Sequence, residues 1–143
     1  MQVKKILLID DEKDIRTVAD ISLRRIGNFD VTLVENGRDG LSAAAAIRPD
    51  VILLDMMMPE MDGITVLKLL KENPETRDIP VIFMTARVRD KEKAEYVAHG
   101  AKGIIDKPFD PLSLAGQVRK ICDSAQKDAD AAPCGADADA SGE

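Results

Sequence analysis

Positive charge, cysteine and long apolar stretches are all scarce in this chain of 143 residues. Lys and Arg number 20 against 26 Asp and Glu, and a net charge of −6 argues against a nucleic-acid backbone or an anionic bilayer as the main partner. The two cysteines, Cys122 and Cys134, are too few for a disulfide framework, and their spacing matches no zinc pattern. A reducing, cytoplasmic setting is the resulting expectation. No apolar run approaches the ~18 residues that a membrane helix needs. Lys4-Lys5 leads only into Ile6-Leu7-Leu8-Ile9 before Asp10 closes the run, so neither a membrane span nor a signal peptide is expected. No Gly-x-Gly-x-x-Gly follows that run, which excludes a dinucleotide-binding turn there.

What is present suits one folded domain: apolar residues make up 45% and charged residues 32%, an ordinary globular balance. Composition breaks near Ser124. Beyond it the chain holds seven alanines and no Ile, Leu, Val or Phe, too little apolar surface to offset the entropy of ordering it. The expectation is a domain over residues 1–124 and a disordered, Ala/Asp-rich acidic tail over 125–143. The tail carries five acids (Asp128, Asp130, Asp137, Asp139, Glu143) against Lys127, which leaves the folded part nearly neutral.

Within the domain, unbroken apolar runs recur at Ile6-Leu7-Leu8-Ile9, Val31-Thr32-Leu33-Val34, Val51-Ile52-Leu53-Leu54, Val81-Ile82-Phe83-Met84 and Gly103-Ile104-Ile105. Runs without polar alternation suit strands buried on both faces. Between them lie segments with apolar residues on one helical stripe: Ile15, Val18, Ser22 and Ile26; Leu41, Ala44, Ala45 and Ile47; Ile64, Leu67 and Leu70. A fourth helix is expected from Asp90 to His99, with Gly100 as its C′ residue. A fifth should open on Asp110-Pro111 and carry Leu112, Ala115, Val118 and Cys122. Five β-α units in succession predict an α/β fold, a doubly wound (βα)5 five-stranded parallel sheet with helices on both faces.

Ligands of such sheets bind at the carboxyl edge, where the strand order reverses. The residues just past the apolar runs are Asp10-Asp11, Glu35-Asn36, Asp55, Thr85-Ala86 and Asp106-Lys107-Pro108. With the flavodoxin-like order 2-1-3-4-5, Asp55 stands at the centre of this group. Singly, each has an ordinary reading: the aspartates as a helix cap or turn acid, Thr85 as a β-branched strand residue, Lys107 as a surface charge. Jointly they bring three carboxylates, a hydroxyl and an ammonium to one edge, and clustered carboxylates repel unless a cation is present. A hard divalent metal is the natural cation for oxygen ligands.

Asp10-Asp11, Asp55-Met56-Met57-Met58-Pro59-Glu60-Met61-Asp62-Gly63, Thr85-Ala86 and Lys107-Pro108-Phe109, in that order, resemble the receiver domain of two-component response regulators, over about Val3 to Ser124. The resemblance implies a single-domain, chemotaxis-regulator-like response regulator, not a turnover enzyme. Asp55 would accept a phosphoryl group from a sensor histidine kinase, a histidine phosphotransfer protein or a small phosphodonor. It implies Mg2+, with Mn2+ as a substitute, held by Asp11 directly, Asp10 mainly through water, Asp55 and the backbone carbonyl of Met57. Lys107, the Thr85 hydroxyl and the Ala86 backbone N–H would meet the phosphoryl oxygens. Lys107-Pro108 would form the family's cis peptide bond. A downstream protein effector would read the face of the fourth helix, fifth strand and fifth helix.

The chain also departs from the family pattern. Ile104 stands where many members carry the Tyr or Phe that reports phosphorylation, and Met57 and Arg87 occupy positions that tune attack of water on the acyl phosphate. Thr85, Arg87 and Ile104 are the candidate switch residues. The alternative is an aspartyl-phosphate phosphatase of the haloacid-dehalogenase type, which places a second acid two residues after its nucleophile; Met57 argues against it. The methionines around Asp55 read as loop and core filling, His99 as a surface residue at a helix end, and the charged segment from Arg87 to Glu95 as a solvated helix face or partner surface.

Overall fold

The computed structural model describes residues 4–56, 58, 60–86, 95–107 and 109–131. Five parallel strands, β1 (Lys5–Ile9), β2 (Asp30–Val34), β3 (Val51–Asp55), β4 (Val81–Ala86) and β5 (Gly103–Lys107), form one sheet in the order β2-β1-β3-β4-β5. This is the expected doubly wound arrangement, with the chain reversing direction across the sheet between β1 and β3. The helices are α1 (Lys13–Ile21), α2 (Gly37–Ile47), α3 (Gly63–Glu72), α4 (described over 95–98) and α5 (Leu114–Ala131).

Period-two alternation along the buried strands divides the core into two layers. Ile6, Leu8, Val51, Leu53, Ile82, Met84 and Ile105 face α1 and α5, where Ala19, Leu23, Leu114, Ala115 and Val118 cover them. Leu7, Ile9, Ile52, Leu54, Val81 and Phe83 face the other way, under Ala44, Val66, Leu67 and Leu70 of α2 and α3. Helix starts are fixed by side chains: Asn36 accepts the Asp39 N–H at 2.8 Å and Asp62 accepts the Thr65 N–H at 2.9 Å. Gly100 takes φ +116°, the conformation expected just past α4; the start of that helix lies outside the described residues.

Three expectations are corrected. The first helix buries only part of its expected stripe of Ile15, Val18, Ser22 and Ile26. Val18 and Ile26 are exposed, whereas Ile15 and Ser22 face inward beside Ala19 and Leu23; a π-helical turn over Ser22–Ile26 ends the helix. The last helix starts at Leu114 rather than at Pro111, leaving Leu112 exposed. Asp110 closes a turn first, accepting the Leu112 N–H on its side chain at 2.9 Å and the Leu114 N–H on its carbonyl at 3.0 Å. That helix also passes Ser124 and runs to Ala131, where the tail was expected. Once nucleated, a helix propagates at little cost through Ala, Gln and Lys. The remainder of the expected tail, 132–143, lies outside the described residues.

Candidate functional site

The carboxyl edge of the sheet gathers the chemistry. Asp10 is the first residue beyond β1, its N–H donating to the Val34 carbonyl at 3.1 Å, and it is wholly buried. Asp55 ends β3 opposite Met84 and is 3% exposed. Thr85, also buried, follows Met84 in β4 and stands opposite Asp106; Ala86 stands opposite Lys107, the last residue of β5.

Lys107 closes the group. Its Nζ donates to Asp10 Oδ2 at 2.9 Å and to Asp55 Oδ1 at 3.1 Å, and lies 3.7 Å from Glu12 Oε1. Asp10 Oδ1 accepts the Glu12 N–H at 2.9 Å, which fixes the carboxylate's orientation. Carboxylate oxygens of Asp10, Asp11, Glu12 and Asp55 all lie within 4.8 Å of one another. One ammonium cannot balance four carboxylates, and an all-oxygen donor set of this charge fits a hard divalent cation such as Mg2+. Burial pushes the Asp55 carboxyl up from 3.8 to about 7, and the Asp10 charge adds to the rise against the pull of Lys107. Burial alone would lower Lys107, but its hydrogen bond to Asp10 and the charges of Asp10 and Asp55 outweigh that and hold it above its ordinary value.

The loop after Asp55 folds back on the strand, the Gly63 N–H donating to the Met56 carbonyl at 2.9 Å. A Cβ on Gly63 would stand 2.8 Å from the Asp55 carbonyl oxygen and 2.9 Å from Met56 Cα, so only glycine allows this approach. Met56 and Met58 are buried in the apolar layer under α2 and α3, and Met61 packs against it, in keeping with core filling. Ile104 pairs with Phe83 and packs half-buried against the same layer, as does Tyr96 of α4, whose ring meets Phe83 edge-on at 5.3 Å. His99 is exposed at the end of α4.

The structure thus brings Asp10, Asp11, Asp55 and Lys107 together and sets Thr85 on the neighbouring strand. Met57, Arg87 and Pro108, with the cis peptide bond expected at Lys107-Pro108, lie outside the described residues. Sequence reasoning passed over two residues. Glu12 adds a fourth carboxylate, and Arg16 donates from Nη1 to the Asp10 carbonyl at 2.7 Å. Their spacing from Asp10-Asp11, within the first turn of the following helix, was the available signal.

Comparison with known proteins agrees with this geometry. A five-stranded parallel sheet in this order is the flavodoxin-like fold. The response regulator receiver domain model matches residues 6–119, and the chain belongs to that family. It is 36% identical over 117 residues to the DNA-binding dual master transcriptional regulator RpaA of Synechocystis sp., covering 82% of this chain and 48% of that protein. It is 37% identical over 119 residues to the response regulator PleD of Caulobacter vibrioides, covering 82% of this chain and 26% of that one. The chain therefore spans about half or less of the length of these curated relatives. Among solved structures, the chemotaxis protein CheY4 of Vibrio cholerae superposes with a TM-score of 0.78 at 29% identity, covering 84% of this chain and 99% of that one. Receiver domains are in general phosphoacceptor signalling domains. No helix among the described residues is long and apolar enough to cross a membrane.

Proposed function

We propose that this receiver domain is switched by Mg2+-dependent phosphorylation of Asp55. The observation that carries the reading is the buried Asp55 carboxylate at the centre of the sheet edge, joined to Asp10 through the Lys107 ammonium. A carboxylate oxygen of Asp55 attacks phosphorus as the P–N bond of a phosphohistidine, or the P–O bond of a small phosphodonor, breaks; the leaving group takes the electron pair and a proton. Asp10, Asp11 and Asp55, with the Met57 backbone carbonyl, are the proposed holders of the ion. When bound, Mg2+ supplies the positive charge that keeps the Asp55 carboxylate ionised and offsets charge on the phosphoryl oxygens. Lys107 neutralises a further oxygen, and the Thr85 hydroxyl and Ala86 N–H donate hydrogen bonds to the others.

Phosphodonors are a sensor histidine kinase or histidine phosphotransfer protein, acting in the cytoplasm. The downstream effector is a protein that reads the face of α4, β5 and α5, with Thr85, Arg87 and Ile104 as switch positions. The proposed domain is 1–124, from which α5 continues to Ala131, with 125–143 dispensable for phosphorylation. Incubation with acetyl phosphate should add one phosphoryl group to the wild-type chain, with EDTA or Asp55→Asn abolishing the gain, and a chromogenic phosphate ester should show no sustained turnover. Label mapped to another residue, or undiminished labelling in EDTA, refutes the assignment; many turnovers on the ester favour the phosphatase reading.

A further inference from the structure

We propose that Arg16 is a positioning residue that makes the acidic pocket selective for Mg2+ over larger divalent cations, an inference that rests on the reading of that pocket as a Mg2+ site. Every polar group of Asp10 is engaged. Its N–H donates to Val34, its two carboxylate oxygens accept from the Glu12 N–H and the Lys107 Nζ, and its carbonyl accepts from Arg16 Nη1 at 2.7 Å. The arginine reaches back to do this from the first turn of α1, where its own N–H donates to the Glu12 carbonyl at 3.1 Å. Its side chain is 17% exposed, and Nη2 lies 3.8 Å from Glu35, just past β2. The peptide joining Asp10 to Asp11 is therefore held from its carbonyl side by a charge-assisted bond, and that peptide sets where the Asp11 carboxylate stands relative to Asp10 and Asp55.

The guanidinium acts on a cation in two ways of opposite sign. Its charge repels any divalent ion equally. Its hold on the peptide favours only an ion that demands fixed ligand positions. Mg2+ requires near-ideal octahedral geometry at about 2.0–2.1 Å, whereas Ca2+ accepts a flexible shell at about 2.3–2.6 Å. Removing the guanidinium should relieve repulsion for both ions and remove the geometric advantage of Mg2+ alone. The ratio of the two affinities separates positioning from charge and from general loss of stability. The exposed Glu35 pair, at 3.8 Å, contributes little to this hold.

The test is calorimetric titration of Mg2+ and of Ca2+ into the wild-type chain and Arg16→Gln, with folding checked by circular dichroism in EDTA. Arg16→Gln should lower the Mg2+ affinity by about tenfold, the usual effect of losing a partner that orients metal ligands, and so lower the Mg2+/Ca2+ ratio by at least that factor. An unchanged or raised ratio overturns the proposal, whether both affinities rise through relieved repulsion or both fall through disrupted structure. If Arg16→Gln does not fold, Arg16→Lys keeps the charge but offers the carbonyl one flexible donor; its ratio should fall several-fold, and a wild-type ratio there overturns the proposal. Absence of saturable Mg2+ binding by the wild-type chain refutes the metal-site reading itself, and the proposal with it.

Discussion

Replacing Asp55 by asparagine should stabilise the metal-free protein, and by an amount that depends on pH. The folded state holds the Asp55 proton up to about pH 7, whereas an ordinary aspartate loses it near 3.8. Between those values the folded chain binds a proton that the unfolded chain has released, so stability falls as pH rises through the window. Above about pH 7 the full cost of ionising a buried carboxylate beside Asp10 is present. A shift of about three units at 1.36 kcal/mol each sets an upper bound of about 4 kcal/mol at pH 8, about 2 kcal/mol at pH 5 and almost nothing near pH 3. Asparagine carries no charge and escapes the cost, although it accepts a weaker bond from Lys107, so a net gain of about 2–4 kcal/mol is expected at pH 8. In a domain of this size that raises Tm by about 10 °C. Urea denaturation in EDTA, for both chains at about pH 8, 5 and 4, measures it. A less stable Asp55→Asn at pH 8, or a gain that does not shrink toward pH 4, refutes the reasoning. Saturating Mg2+ should narrow the gap, because the wild-type chain alone keeps all its carboxylate ligands.

Further outcomes follow from the same geometry. Mg2+ at a hundredfold excess over Kd should stabilise the wild-type chain by about 2.7 kcal/mol in thermal melts and Asp11→Asn much less; equal shifts refute metal binding at this cluster. Gly63→Ala forces a methyl against the Asp55 carbonyl and Met56 Cα and should cost about 1–3 kcal/mol in urea, whereas a neutral change would show that the loop yields. Stopping the chain after Ala131 should move Tm by about a degree and leave the phosphorylation rate unchanged, since surface changes stay within about 0.5 kcal/mol; a large loss of either shows that the tail docks. Beryllofluoride, a phosphoryl mimic, should change partner or kinase binding in Ile104→Ala but not in Thr85→Ala, because the Thr85 hydroxyl can bond the mimic and Ile104 offers only packing; the reverse pattern refutes a route through Thr85.

The architecture was legible in the sequence because its cause is local. Four of the five strand-forming runs lack polar alternation in the way that only strands covered on both faces do, and an acid, hydroxyl or lysine follows or ends each of four strands. That pattern fixes a parallel sheet and its functional edge before any contact is known. The first helix turns Ala19 and Leu23 inward beside Ile15 and Ser22 and leaves Val18 and Ile26 outside, because spacing marks a helix face without fixing how that face is rotated toward the sheet. α5 extends to Ala131 because an established helix propagates through good helix formers even where the sequence offers no apolar residues to bury. What the tertiary structure alone decided is the state of the site. Lys107 stands 97 residues from Asp10 and 52 from Asp55, yet its ammonium joins the two, and Arg16 turns back on the peptide that carries the acidic pair. The sequence places these residues near the same edge, but which atoms pair depends on what the closed sheet brings within hydrogen-bond reach. The raised Asp55 carboxyl has the same origin: an aspartate becomes hard to ionise only when folding removes its water and sets another carboxylate beside it.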